Sequence, residues 1–303
     1  MLIVKHLLVF CFKRKQKLLE ILRLYIQYKK QRYLRNKYGK YISEEIEKYD
    51  WKAVEQVSSR RVWICWWQGM DNAPLLVRRC YDSVKSNLVD WKITVITLDN
   101  YKEYVQFPDY ILQRWQKGQI SNTHMSDLLR LELIVKYGGL WLDSTVLCTG
   151  KEIPESIIRS NLFVYQLLRP GITGRSLSIS SWLIYAKSNN KILYLTKMLL
   201  YKYWQKNERI IDYFIFHHFF SIVLEYCQEE QKQIPKYCNS IPHILLFQLF
   251  EEYDGIAFHD LKQMTCFHKL SYKLNQEDLI KPGTYYDVIL NNSFYSQSSE
   301  TLL

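Results

Sequence analysis

Apolar and polar positions fall into alternating blocks through the first half of the chain. Arg61 to Trp67 is a short, β-prone apolar run and predicts a first strand. Pro74 to Ser86 carries helical spacing, and Trp91 to Leu98 predicts a second strand that ends at Asp99 and Asn100. Met125 to Tyr137 reads as a helix: Leu128, Leu129, Leu131, Leu133, Ile134 and Val135 are its apolar positions, Ser126 or Asp127 its cap, and Gly138 its stop. Gly138 and Gly139 let the chain turn straight into the apolar run Leu140, Trp141, Leu142, which ends in Asp143. This alternation of strand and helix predicts an α/β fold with a parallel or mostly parallel sheet. After residue 150 the pattern is irregular, with a Ser-rich stretch at 176–181, a helix around 190–206 and an aromatic helix at 210–227.

The N-terminus has a different character. Leu18, Leu22, Tyr25 and Ile26 recur at helical spacing opposite Glu20, Arg23 and Gln27, so residues 1–35 are expected to form an amphipathic helix or helix pair. Residues 1–40 hold twelve Lys and Arg against Glu20 alone, which leaves 29 basic and 29 acidic side chains in the rest of a chain of net charge +11. A neutral body argues against nucleic-acid binding, and a basic apolar helix suits an anionic membrane surface. The competing expectation is a helix packed on its own domain with a solvated basic face. The apolar run Met1 to Phe12 is interrupted by Lys5 and His6 and is too short to span a bilayer; its cations follow the apolar part, the reverse of a secretory signal.

Seven cysteines, an odd number with no Cys-x-x-Cys pair, fit neither a zinc site nor a disulfide framework and point to a reducing cytoplasm. No repeat or Pro/Gly-rich linker appears, so the expectation is an extension at 1–45 followed by one domain at 46–303.

A buried strand that ends in a carboxylate puts negative charge at the mouth of an α/β sheet, where ligands bind. Asp127 and Arg130, three apart on the preceding helix, share one of its faces. Moving a sugar off a nucleoside diphosphate would use such a place, because the departing diphosphate needs a divalent cation or Lys and Arg side chains. The expected metal signature is Asp-x-Asp, whereas this chain has Asp143-Ser144-Thr145.

Several blocks resemble the capsular polysaccharide synthesis family of glycosyltransferases. They are Trp63 to Gly69 with Ala73-Pro74, Ser126-Asp127-Leu128-Leu129-Arg130, Tyr137 to Thr145, Ile211 to Phe214, and His268 to Lys273, in the family's order over roughly residues 60–275. The resemblance implies a GT-A-like, Rossmann-type, mostly parallel sheet flanked by helices. Its nucleotide-sugar half would lie at about 60–150 and its acceptor half at about 151–290. It implies retaining transfer from a nucleoside diphosphate sugar, expected to be a UDP-sugar, to a lipid-linked or oligosaccharide acceptor in bacterial surface polysaccharide assembly at the cytoplasmic face.

The same resemblance implies the site. Trp66, Trp67 and Gln68 would neighbour the nucleotide, and Asp127 and Arg130 would meet sugar hydroxyls and phosphate. Asp143 and His268 would hold a divalent cation, Mn2+ or Mg2+, with Lys269 and Lys273 on the diphosphate. Asp212 would orient the donor or the acceptor hydroxyl. Each has a plainer reading: core packing for the tryptophans, a surface ion pair for Asp127 and Arg130, a turn or helix cap for Asp143 and Asp212. His217 and His218 are expected to be structural. Thr145 in place of a second Asp also leaves open a non-catalytic, sugar-nucleotide-binding partner in a synthesis complex. The loop Asp143-x-Thr145-x-Leu147 faintly resembles an aspartyl-phosphate nucleophile loop, which Leu147 breaks.

Overall fold

The computed structural model describes residues 2–166, 179–274 and 279–290, with side chains from residue 18 onward except Glu20. A single long helix, α1 (Leu2–Lys48), leads in. Then come β1 (Arg61–Cys65), α2 (Leu75–Asn87), β2 (Lys92–Ile96), α3 (Tyr101–Tyr104), α4 (Asp109–Gln116), α5 (Asn122–Tyr137), β3 (Gly139–Leu142) and β4 (Val146–Cys148). The remainder is α6 (Glu155–Ile158), β5 (Leu162–Gln166), β6 (Ile179–Ala186), α7 (Lys191–Lys206), α8 (Ile215–Tyr226), α9 (Gln228–Lys232), α10 (Ile244–Gln248), α11 (Gly255–Met264), β7 (Phe267–Lys269) and α12 (Tyr285–Leu290).

The central sheet runs β2-β1-β3-β6-β5. β1 is parallel to both β2 and β3, whereas β6 is antiparallel to β3 and to β5. The expected mostly parallel sheet is thus a mixed one, flanked by helices. Its antiparallel edge comes from the segment that looked irregular: residues 179–181 of the Ser-rich stretch open β6, and residues 176–178 lie outside the described residues.

Both faces of the sheet are covered, which is why its strands are apolar without a polar alternate. Trp63, Cys65 and Trp141 point to one side, into a core shared with α5, α7, α8 and the end of α1. Val62, Ile64, Leu140 and Leu142 point to the other, against α2 and β4. A third cluster joins α2, α11 and α12 through Leu76, Cys80, Phe258, Leu261 and Tyr286.

Local chemistry explains the element ends. Ser121 caps α5 by accepting from the His124 N–H, so the helix begins a turn before the expected cap at Ser126 or Asp127. Asn190 caps α7 in the same way. The boundary anticipated at residue 46 falls inside the packing: Leu34, Tyr38 and Ile42 of α1 are buried in the first core.

The turn from α5 into β3 requires glycine. Gly138 and Gly139 have φ of +66° and +101°, and a Cβ on Gly139 would sit 2.5 Å from the Arg61 carbonyl oxygen of the neighbouring strand. Gly118, at φ +70°, has open space around it. Gly139→Ala is therefore expected to lower stability by about 3 kcal/mol or more, and Gly118→Ala by only about 1. Denaturant unfolding of the two variants measures the difference.

Candidate active site

In the order β2-β1-β3, the chain leaves β1 toward one edge and returns on its other side. The crevice beyond the carboxyl ends of β1 and β3 is therefore a topological switch point, where open α/β sheets bind ligands. A cavity of 590 Å³ lies there. Residues that follow β1 line it (Trp66, Trp67, Gln68), as do those that follow β3 (Asp143, Ser144, Thr145), and Asn122, Thr123 and Ser126 from the start of α5.

Arg130 is buried and holds the floor together. Its Nε donates to the Ser126 carbonyl at 3.3 Å and its Nη1 to the Ser181 carbonyl at 2.5 Å. Nη2 lies 3.3 Å from both Asp127 Oδ1 and Asp143 Oδ1. The guanidinium also covers the Trp141 ring at 4.9 Å, and the Trp141 indole N–H donates to Asp143 Oδ1 at 3.0 Å. Asp143 is thus oriented by two donors on one oxygen, while Oδ2 faces Lys269 Nζ at 3.7 Å. Lys269 in turn donates to the Thr145 hydroxyl at 2.5 Å.

Asp127 belongs to this network without lining the cavity. It is buried against His124 and Arg130. Burial alone would raise its carboxyl; the Arg130 guanidinium and the His124 ring outweigh that and hold it below the ordinary carboxylate value. Its place is to hold Arg130, and nothing places it on a sugar hydroxyl.

The tryptophans divide. Trp67 is core, its indole N–H bonded to the Asn122 carbonyl and the Ser126 hydroxyl, its ring 4.8 Å from Trp115. Trp66 stands edge-on to Tyr272 at 5.4 Å in the cavity wall, and its indole N–H has no partner among the described residues. Gln68 lines the rim.

Three expected residues lie elsewhere. His268 and Lys269 are consecutive on β7, so they point to opposite faces. Lys269 takes the side of its register partner Val146, toward Asp143, and His268 the side of Leu147. His268 is fully buried, within 3.0 Å of the Thr149 hydroxyl and against Phe258, and it does not join Asp143 around a cation. Lys273 is exposed and lies outside the cavity lining. Asp212 pairs with Lys30 of α1 at 2.6 Å and accepts from the Phe214 N–H at 2.8 Å; its role in place is to clamp α1 to α8.

His217, expected to be structural, is half-buried on α8 and near enough to Asp127, Arg130 and Asp143 for all three to act on it. Its Nδ1 has no hydrogen-bond partner among the described residues. Burial above all pushes its pKa down to about 4. Nothing in its helical position distinguished it from His218, because which face of α8 meets the site is set by packing.

A divalent cation of the kind Asp-x-Asp sites hold wants several oxygen ligands. Here one carboxylate is available, and both of its oxygens already face cations. Thr145 is bonded to Lys269, and His268 faces away. Among the described residues no three His, Cys, Asp or Glu side chains form a cluster that could hold a metal ion. The donor set does not fit that cation.

The buried imidazoles make acid a specific stress. Burial pushes His268 from 6.5 down to about 4, as it does His217. Between those values the unfolded chain binds protons that the folded one refuses. Stability is therefore full above pH 6.5 and falls as pH drops toward 4, by on the order of 3 kcal/mol per group at the lower end. Chemical denaturation across that range should show the fall, and His268→Gln should reduce it by about half.

Residues 14–289 match the capsular polysaccharide synthesis protein family. Among curated relatives, the O-glycosyltransferase braB of Annulohypoxylon truncatum is 30% identical over 133 residues, 38% of this chain and 31% of the relative. The glycosyltransferase afumC of Aspergillus fumigatus is 30% identical over 102 residues, 31% of this chain and 26% of the relative. The chain thus spans less than a third of the length of these relatives. Similar solved structures include the PaToxG glycosyltransferase, at TM-score 0.39 and 14% identity over 89% of this chain and 98% of that one. Another is a glycosyltransferase involved in the glycosylation of the major capsid of PBCV-1, at TM-score 0.36 and 12% identity over 72% of this chain and 96% of that one. By the match that runs nearly the length of the sequence, the chain belongs to the capsular polysaccharide synthesis protein family.

Proposed function

We propose that this protein is a retaining glycosyltransferase that moves a sugar from a nucleoside diphosphate, a UDP-sugar, to a lipid-linked or oligosaccharide acceptor in surface polysaccharide assembly. The observation that carries the reading is Asp143, fixed by Trp141 and Arg130 at the switch point of the sheet, within a cavity that also has an aromatic wall and a lysine. The Trp66 and Tyr272 rings offer a surface for the base. Lys269 is positioned for the phosphates.

In the reaction the bond from the anomeric carbon to the β-phosphate oxygen breaks, and its electron pair stays on that oxygen. The acceptor oxygen bonds the same carbon on the same face and gives up its proton to the departing phosphate. No side-chain base is required by this path, which agrees with Asp143 being the one carboxylate among the lining residues. Its charge favours the positive character that develops on the sugar ring. Asp143→Ala should cut transfer by on the order of 10³-fold while the circular dichroism spectrum and melting point stay near those of the unaltered protein. Near-normal turnover of a donor panel by that variant would refute the assignment. Donor binding without turnover, for every acceptor tried, would favour the non-catalytic partner instead.

The N-terminal helix supports a second element of the reading, docking on an anionic membrane surface at the cytoplasmic face. No helix of the described residues is long and apolar enough to cross a membrane. Along α1, however, Leu18, Leu22, Tyr25 and Ile26 are 68%, 51%, 54% and 45% exposed, next to the basic residues Arg23 and Lys29. Apolar side chains that enter the interface beside cations worth about 1 kcal/mol each fit such a surface. Removal of residues 1–26 should abolish co-sedimentation with phosphatidylserine-rich vesicles and leave catalysis in detergent unchanged. Equal sedimentation of both forms would remove the docking idea.

A further inference from the structure

We infer that in this site Lys269, together with the starts of α2 and α5, takes the place of a divalent cation on the departing diphosphate; the inference rests on the glycosyl-transfer reading above. The first ground is what surrounds Asp143. In a metal-assisted site the carboxylate oxygens point at an ion that also binds phosphate. Here Oδ1 is committed to Trp141 and Arg130, and the group in front of Oδ2 is the Lys269 ammonium at 3.7 Å. Thr145, in the position of the second carboxylate, bonds the same ammonium. An ion placed there would meet a positive charge where it needs ligands.

The second ground is which cation is free to turn. Arg130 is buried with all three nitrogens engaged, so it fixes the floor. Lys269 is more exposed; besides its bond to Thr145 it donates to the Leu270 carbonyl at 3.3 Å and lies 3.7 Å from Asp143. An ammonium carries three donors on a flexible stem, so it can keep Asp143 behind it and present an N–H to phosphate.

The third ground is the backbone. Two helices begin at the cavity: Pro74, the N-cap of α2, and Asn122 and Thr123 of α5 all line it. α2 has no side-chain cap bond, and a helix start without one favours a nearby anion. The two helix starts add partial positive charge of about half a unit each. With Lys269, they supply the compensation that the diphosphate requires.

During transfer the anomeric C–O bond breaks toward the β-phosphate. Lys269 donates hydrogen bonds to the oxygen that gains the electron pair, and the acceptor proton moves to the released diphosphate. Lys269 remains an ammonium throughout.

Calorimetric titration of UDP and of inorganic pyrophosphate into the full chain, once with EDTA and once with MnCl2, tests this directly and needs no variant. UDP affinity is expected to agree within about twofold in the two buffers. Lys269→Met should weaken both ligands about tenfold or more in either buffer, and Lys269→Arg should recover much of that loss. UDP binding that appears only with manganese, or a Lys269→Met protein that is folded and binds as well as the unaltered one, would overturn the inference. Transfer that occurs but depends on manganese would leave the glycosyl-transfer reading standing and sink this one. An absence of both UDP binding and turnover in either buffer would sink both.

Discussion

The Arg130 guanidinium is the interaction on which the site depends. A charge buried to this degree is tolerable only when every donor is satisfied. Its bonds reach the start of α5 (Ser126, Asp127), the end of β3 (Asp143) and the start of β6 (Ser181). These three segments belong to different elements and converge on one side chain. Asp127 and Asp143 share the charge of this one guanidinium, so the carboxylate facing the cavity is tied to the core beneath it. Trp141 adds to this by donating to the carboxylate and lying under the guanidinium.

Around that knot the fold uses two devices. The parallel half of the sheet makes the switch point, which opens a crevice without any special loop. The antiparallel ribbon of β4 and β7 then carries a distant part of the chain back to its rim. Register in the ribbon, Val146 opposite Lys269 and Leu147 opposite His268, decides which of the two neighbouring basic side chains meets Asp143. A shift of one residue would exchange them. The imidazole is left in a dry pocket where its charged form is disfavoured.

The N-terminal helix is divided in the same physical sense. Its last third is core, through Leu34, Tyr38 and Ile42, and is fastened by Lys30 to Asp212 and Arg35 to Glu225. Its earlier turns carry apolar side chains into solvent. One continuous helix thus joins an exposed basic apolar segment to the domain that holds the cavity, without a linker between them.

Short-range physics was legible in the chain itself. The apolar runs became β1, β2 and β3 with ends shifted by one or two residues, the glycine pair made its turn at positive φ, and the carboxylate after β3 stands at the mouth of the sheet. Those features depend on side-chain period, on steric freedom at glycine and on the charge of one residue. β5 and β6 were not legible, because Ser180 and Ser181 at the start of β6 read as part of a Ser-rich stretch and antiparallel pairing broke the strand–helix alternation that marked β1 to β3. The partners of Asp143 were likewise decided only in three dimensions. Lys269 lies 126 residues further along, and its side of β7 is set by ribbon register. Asp212 went to Lys30 of α1, a partner 182 residues away that local sequence does not mark.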